Sequence, residues 1–433
     1  MMKRLVLAAV LLASAPAFAD ATDRKFTIAA IPDTQNYTDY THQTEEKFPF
    51  DARAMFFEQM EYIAANVESQ GGEIAFVTGL GDAWQHQTMT IDPDHYMRGF
   101  RVDENSLFAK IFKPTPKVWD VEMPAARKGY ELLMGKVPFS AVPGNHDYDA
   151  MWTDSKFPSA AKIDPRDMST IGVLHPGGLS NFRAVFGENT PFFKDKEWYV
   201  AANDGGADSA QVFEAGGYKF LHIGLQFDPP DTSLAWAARV IEKYKGLPTI
   251  VSTHDYLSTQ GERKPNQIID GHLVDPQNNS PQMVWDKLLS QHDQIFMLLC
   301  GHQHGQARRN DPNKFGHEVH QVLADYQDRG QTAIEAGIQS ERPVNIGDGW
   351  MRLMEFDFTG TQPVVRVRTY STHYKKQSTQ IRQYAKWYRD HEDPGMSDKD
   401  FAREDDFTIP LTDFVERFGT GTASAPTPTP PGS

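Results

Sequence analysis

QIFMLLCGHQHG, residues 294–305, is an apolar run that stops at a glycine and then sets two imidazoles one residue apart, His302 and His304. Residues 295–300 have the length and content of a strand buried on both faces, and Gly301 and Gly305 let the chain turn after it. Four other stretches follow the same plan. KFTIAAIPDTQNY runs apolar over 26–31 and breaks at Pro32 and Asp33, with Gln35 beyond. EIAFVTGLGDAWQ runs over 74–77 and reaches Gly79, Gly81 and Asp82. VPFSAVPGNHDYD leads to Asn145, His146 and Asp147, and LPTIVSTHDYL leads to His254. Strands of this kind imply an α/β fold, in which sites collect at the C-terminal ends of the strands.

The segments between them fit that reading. Residues 52–69 carry Met55, Phe56, Met60, Ile63 and Val67 at helical spacing. SPQMVWDKLLSQHD, 280–293, predicts a second helix with Ser280 as its N-cap. Further on, GHEVHQVLADYQ, GWMRLMEFDFTG and PVVRVRTYST read as short alternating strands forming a meander. Two long stretches, about 83–137 and 148–217, exceed a minimal core and are rich in Trp, Phe, Pro and Gly. They follow site-bearing turns directly, which is where insertions shape a substrate pocket.

The two ends bound the cellular setting. MMKRLVLAAVLLASAPAFAD has Lys3 and Arg4, an apolar run and Ala17-Phe18-Ala19, the order of a Sec signal peptide over 1–19 with cleavage after Ala19. Export to a periplasm or to the outside is the expectation. No later segment has the ~18 consecutive apolar residues of a membrane span. Loss of two positive charges with the leader takes the formal charge from −15 to −17. So acidic a chain argues against a nucleic-acid-binding surface, though bound cations still allow a phosphate-bearing substrate. Cys300 is the single cysteine, so no internal disulfide forms, and its setting is that of a small core hydrophobe. GTGTASAPTPTPPGS, 419–433, reads as a disordered tail. Oligomeric state is not legible.

Each turn has an ordinary explanation alone: an aspartate capping a turn, an asparagine in a left-handed position, a satisfied interior histidine. Together they deliver only carboxylate, amide and imidazole groups from five strand ends. That set suits two adjacent divalent ions, and a paired centre of this kind clamps a phosphoryl group undergoing in-line displacement.

Asp33-Thr34-Gln35, Gly81-Asp82, Gly144-Asn145-His146-Asp147, His254 and Gly301-His302-Gln303-His304 resemble, in content and order, the blocks of the calcineurin-like metallophosphoesterase family. Asp-Thr-Gln-Asn-Tyr, 33–37, and the later VLADYQDRG and DDFTIPLTDF further resemble its exported bacterial members. The resemblance implies a four-layer α-β-β-α sandwich over 20–418, with DDFTIPLTDF as its last strand and 373–404 as a third insertion. It implies that Asp33, Gln35, Asp82 and His304 hold the first metal, that Asp82 bridges, and that Asn145, His254 and His302 complete the second. His146 would face the leaving group as proton donor or charge stabiliser, with Asp147 orienting its ring.

The family usually has histidine where Gln35 stands, so the first site is the weaker of the two. Gln85 stands where a purple acid phosphatase shows tyrosine, which argues against a ferric-tyrosinate centre. Tyr326 and Gln327 read either as residues near the pocket or as an ordinary strand-end turn.

The implied activity is hydrolysis of a small phosphate mono- or diester, with Mn, Fe, Zn, Mg or Ca as the ions and a hydroxide between them as nucleophile. Monoesterases need added positive charge, for which Arg98, Arg101, Arg308 and Arg309 are candidates, with surface salt bridging an equal explanation of all four. The alternative is a non-catalytic metal- or phosphoester-binding protein on the same scaffold.

Overall fold

In Lys25–Ile31 the side chains alternate between two apolar environments: Phe26, Ile28 and Ala30 enter one core, Ala29 and Ile31 another. A strand buried on both faces needs a layer on each side, and the computed structural model supplies them. It describes residues 24–111, 113–164, 167–339 and 344–421. The expected leader over 1–19 and residues 422–433 of the expected tail lie outside the described residues.

The architecture is mixed α/β, built on two seven-stranded sheets and a two-stranded hairpin. The first sheet runs Lys376–Gln377, Val364–Ser371, Trp350–Asp357, Lys25–Ile31, Ile74–Gly79 and Phe139–Ala141, with Asp406–Pro410 also paired to Val364–Ser371. Its central pair is parallel, with Ile28 opposite Phe76 and Ile31 opposite Gly79. The second sheet runs Gly305–Pro312, Glu318–Asp325, Ile295–Cys300, Thr249–Ser252, Tyr218–Gly224, Asp208–Ala215 and Tyr199–Asn203. Ile295–Cys300 is parallel to both its neighbours.

The sheets share one core. Phe26, Ile28 and Phe76 of the first pack with Phe213, Phe220, Ile250, Phe296 and Leu299 of the second. Phe76 and Phe213 stack across the layers with centroids 4.4 Å apart. On the far side of the first sheet, helix Arg53–Ala65 buries Met55, Phe56, Met60 and Ile63, and helix Met123–Glu131 buries Tyr130. Beyond the second sheet, helix Asp231–Lys243 buries Leu234, Trp236, Val240 and Ile241, beside Val284 and Trp285 of Pro281–Lys287. Cys300 is buried there, and burial raises its thiol pKa.

Three readings change. The expected helix over 280–293 is a helix of seven residues, Pro281–Lys287, then a short 3-10 turn, Leu289–Gln291; Ser280 stands at its N-cap without a side-chain bond. The expected meander is not one unit. Trp350–Asp357 and Val364–Ser371 pair in the first sheet, whereas Glu318–Asp325 belongs to the second. Local alternation marks a strand but carries no record of its partner. Finally, 148–217 is not wholly an insertion, since Tyr199–Asn203 and Asp208–Ala215 complete the second sheet. Ala150–Thr153 and Leu174–Gly177 form the separate hairpin.

Among the described residues, no helix is long and apolar enough to cross a membrane.

Candidate metal centre

The five turns leave two different sheets and meet where their parallel strands end. Backbone bonds tie them: Leu80 N donates to Ile31 O at 2.9 Å, Thr34 N to Asp82 O at 3.0 Å, and Gly301 N to His254 O at 2.8 Å. Two glycines permit the approach. A Cβ at Gly301 would lie 2.3 Å from Asp33 Oδ2, and at Gly81 (φ +108°) 2.4 Å from His254 Nδ1. Asp82, His302 and His304 themselves adopt positive φ, at 52°, 71° and 45°. Non-glycine residues in that region carry local strain and concentrate at functional sites.

His254 stands at the middle. Its Nδ1 lies 2.7 Å from Leu80 O, which fixes Nδ1 as the donor and turns Nε2 inward. Around Nε2 lie Asn145 Oδ1 at 3.1 Å, His302 Nδ1 at 3.2 Å, Asp82 Oδ2 at 3.3 Å and Asp33 Oδ1 at 3.7 Å. Ligand atoms of Asp82, His254 and His302 all lie within 4.8 Å of one another. All five residues are buried.

The charges are mutually dependent. Burial, with Asp325 and Asp82 nearby, raises the Asp33 pKa well above the usual carboxylate range. Burial also opposes ionisation of Asp82, but His254 and His146 outweigh it and hold the pKa low. His254 is raised because Asp82 and Asp33 overcome its burial, while burial and the neighbouring His254 keep His302 well below the usual imidazole value.

The other half of the expected centre is arranged differently. His304 turns Nδ1 to Asp328 Oδ2 at 2.7 Å; against burial, Asp328 lifts its pKa to about 10. Gln327 stands between His304 and Gln35, with Oε1 accepting from Gln35 Nε2 and its own Nε2 against the His304 ring. Gln35 Nε2 also donates to Asp82 Oδ2 at 3.2 Å, and Gln35 Oε1 is buried with no partner among the described residues.

His146 donates its backbone N–H to Asp82 Oδ1 at 2.9 Å, and its ring Nδ1 lies 2.6 Å from Gln85 O. Asp147 does not orient that ring. Its two oxygens accept from Ala83 N and Gly144 N, both at 2.8 Å, so it braces the turns that carry Asp82 and Asn145. Buried backbone donors at a tight turn need acceptors, and Asp147 is turned inward to supply them. Burial, then Asp82, raise its pKa to about 8.

A cavity of about 370 Å³ opens over the cluster, lined by Asn145, His146, His302 and His304 on one side and by Met151, Leu174 and Ile268 on another. The insertions do shape it, through Met151, Met168 and Leu174. Among the described lining residues there is no lysine or arginine. Arg98 pairs with Asp275, Arg101 lies over the Tyr96 ring, Arg308 meets Glu404 and Arg309 meets Asp311. None of these four reaches the cavity. Gln327 lines it, whereas Tyr326 is buried with its hydroxyl on Thr369 and Arg352.

Sequence reasoning missed Asp325 and Asp328. Asp325 accepts from His304 N at 2.8 Å and from Gln327 N at 3.0 Å, so it sets both residues. The acid-rich string ADYQDRG after Glu318–Asp325 was the available signal.

The chain matches no protein-family model. Over 246 residues it is 24% identical to Uncharacterized protein YvnB of Bacillus subtilis (strain 168), an alignment covering 55% of this chain and 15% of that protein. The chain thus matches only a small part of that relative's length. Among solved structures it is similar to GAP50, the anchor in the inner membrane complex of Plasmodium, at 10% identity and a TM-score of 0.34. That superposition covers 81% of this chain and 86% of the other. Neither likeness assigns a family.

Proposed function

We propose that the protein is an exported, metal-dependent phosphoesterase of the calcineurin-like type, acting on phosphodiesters. The observation that carries this reading is the convergence of Asp33, Asp82, Asn145 and His302 around His254 Nε2, within 3.1–3.7 Å, with the opposite ring nitrogen held by a backbone carbonyl. A histidine that ligates a metal characteristically has its second nitrogen fixed in this way. The succession of helices, sheet, sheet and helices is in keeping with a four-layer α-β-β-α sandwich.

The residues fit a pair of divalent ions. Gln35 Oε1 is buried without a partner among the described residues, and such an atom calls for a ligand. Asn145, His254 and His302 would hold one ion, Asp33, Gln35 and His304 the other, with Asp82 between. Mixed nitrogen and oxygen donors suit Mn, Fe or Zn, with Mg and Ca as harder alternatives. Such ions supply Lewis acidity at the phosphoryl oxygen and make water nucleophilic near neutral pH.

The remaining work falls to the chain. Gln85 accepts from His146 Nδ1, so Nε2 is the nitrogen that carries a proton to the departing oxygen. Asp147 keeps the turns in register by accepting from Ala83 N and Gly144 N. Among the described lining residues there is no lysine or arginine to meet the second charge of a monoester dianion, which favours a singly charged diester.

Bis(p-nitrophenyl) phosphate and p-nitrophenyl phosphate, assayed side by side on the purified chain loaded in turn with Mn, Zn, Fe, Mg and Ca, test the proposal. Diester turnover well above monoester turnover is expected. Gln327, standing between Gln35 and His304, favours the alternative of a non-catalytic binding protein. Metal occupancy without turnover of either ester would establish that alternative.

A further inference from the structure

Away from the candidate centre, His95, His175 and Asp275 bring ligand atoms within 4.8 Å of one another. They come from three separate segments: helix Pro93–Met97, hairpin strand Leu174–Gly177 and the turn after helix Gly271–Val274. None of the three lines the cavity.

His175 is the unexplained member. It is 0% exposed, yet neither Nδ1 nor Nε2 has a hydrogen-bond partner among the described residues. A buried polar atom left unpaired is costly, and an imidazole with both nitrogens unpaired is doubly so. Its surroundings are aromatic, with the Trp152 ring centroid at 5.0 Å and the Phe100 ring stacked at 5.6 Å. An apolar wall does not explain a histidine there, because phenylalanine would fill the same space without the penalty.

His95 and Asp275 supply what His175 lacks. Asp92 Oδ2 lies 2.7 Å from His95 Nδ1, and His95 Nε2 lies 3.6 Å from Asp275 Oδ2. A carboxylate behind one nitrogen, with the other facing a second acidic ligand, is the usual setting of a metal-bound histidine. Arg98 Nη2 donates to Asp275 Oδ2 at 2.6 Å and Gln277 N to Oδ1 at 3.2 Å, so that carboxylate is held in place and its charge partly balanced. The backbone comes close because Gly177 lacks a side chain: a Cβ there would lie 2.0 Å from Asp92 Oδ2.

We infer that His95, His175 and Asp275 form a separate structural site for a divalent ion of the zinc type, cross-linking both long insertions to the loop after Thr249–Ser252. Two imidazoles and one carboxylate are a known zinc donor set that leaves a fourth position for water, and ions bound by residues far apart in sequence stabilise the fold that gathers them. The site is independent of the proposed phosphoesterase reading.

Zinc content and thermal unfolding of the full chain test it. In the Asp82→Asn/His254→Gln double variant, which disables the candidate centre, zinc should still bind and raise the melting temperature, and chelation should reverse the shift. His175→Phe added to that background, filling the aromatic space without a donor, should remove one equivalent of zinc and abolish the shift at unchanged far-UV circular dichroism. If His175→Phe does not fold, His95→Gln reads the same loss without altering the buried ring. Zinc content unchanged by either substitution, or no zinc bound by the double variant, would overturn the inference and leave His95 as an imidazolium between Asp92 and Asp275.

Discussion

His302 and His304 are one residue apart and serve different neighbourhoods: His302 Nδ1 lies 3.2 Å from His254 Nε2, whereas His304 Nδ1 lies 2.7 Å from Asp328 Oδ2. Both hold positive φ, and their rings meet different partners. The buried cluster thus receives His302, while His304 is committed to a carboxylate pair at the cavity wall. This division separates a preformed half of the centre from a half that Gln327 interrupts.

His146→Ala should lower kcat by roughly 10²–10⁴-fold, the range for a positioned proton donor, with metal content unchanged. Steady-state kinetics with metal analysis on the same preparation checks this. Loss of metal along with activity would instead make His146 a ligand, or make its backbone bond to Asp82 dependent on the ring.

Asp328→Asn should weaken metal retention at the His304 side by about 10–100-fold, the usual effect of removing a carboxylate behind a ligating histidine. The half built on His254, Asn145 and His302 should retain its ion, because Leu80 O rather than a side chain orients His254. Competition with a chelator, followed by metal analysis, separates the two halves.

Folding stability should fall between neutral and mildly acidic pH, and His222 is one source. It is buried, with Gln211 Oε1 at 2.8 Å, Ser252 Oγ at 2.9 Å and the Phe76 ring beside it, all uncharged. Burial lowers its pKa from 6.5 to about 3. A depressed folded pKa means that the unfolded chain binds the proton more readily. The contribution is therefore full above pH 6.5 and is lost as pH falls toward 3. From pH 7 to pH 5 the loss is about 2 kcal/mol. Urea midpoints at both pH values should show a smaller difference for His222→Gln than for the native chain.

Phe76→Ala should destabilise the fold by about 3–5 kcal/mol, the cost of removing a large side chain from a packed core. Phe76 stacks on Phe213 between the sheets, so the loss acts on the contact that holds the five site turns in register. Chemical denaturation should show the drop, with metal affinity falling alongside it.

Much of the site was legible because its signals are short-range. The runs over 26–31, 74–77 and 295–300 and those opening VPFSAVPGNHDYD and LPTIVSTHDYL each end in the strand and turn that the structure contains, and His254, Asp82, Asn145 and His302 do meet. Asp147 was misread because the family resemblance gave it the task of orienting the His146 ring. Two buried backbone donors, from Ala83 and Gly144, claimed its oxygens instead.

By itself the sequence determined which donor types stand at which strand ends, since hydrophobic periodicity and turn chemistry act over a few residues. Tertiary structure alone decided which sheet each strand joined, which ring nitrogen faced inward, and that Gln327 stands between Gln35 and His304 from 292 residues away. It also gathered His95, His175 and Asp275 into one cluster. Those outcomes depend on packing between layers and on which buried polar group finds its partner first, and neither is written in any local stretch of chain.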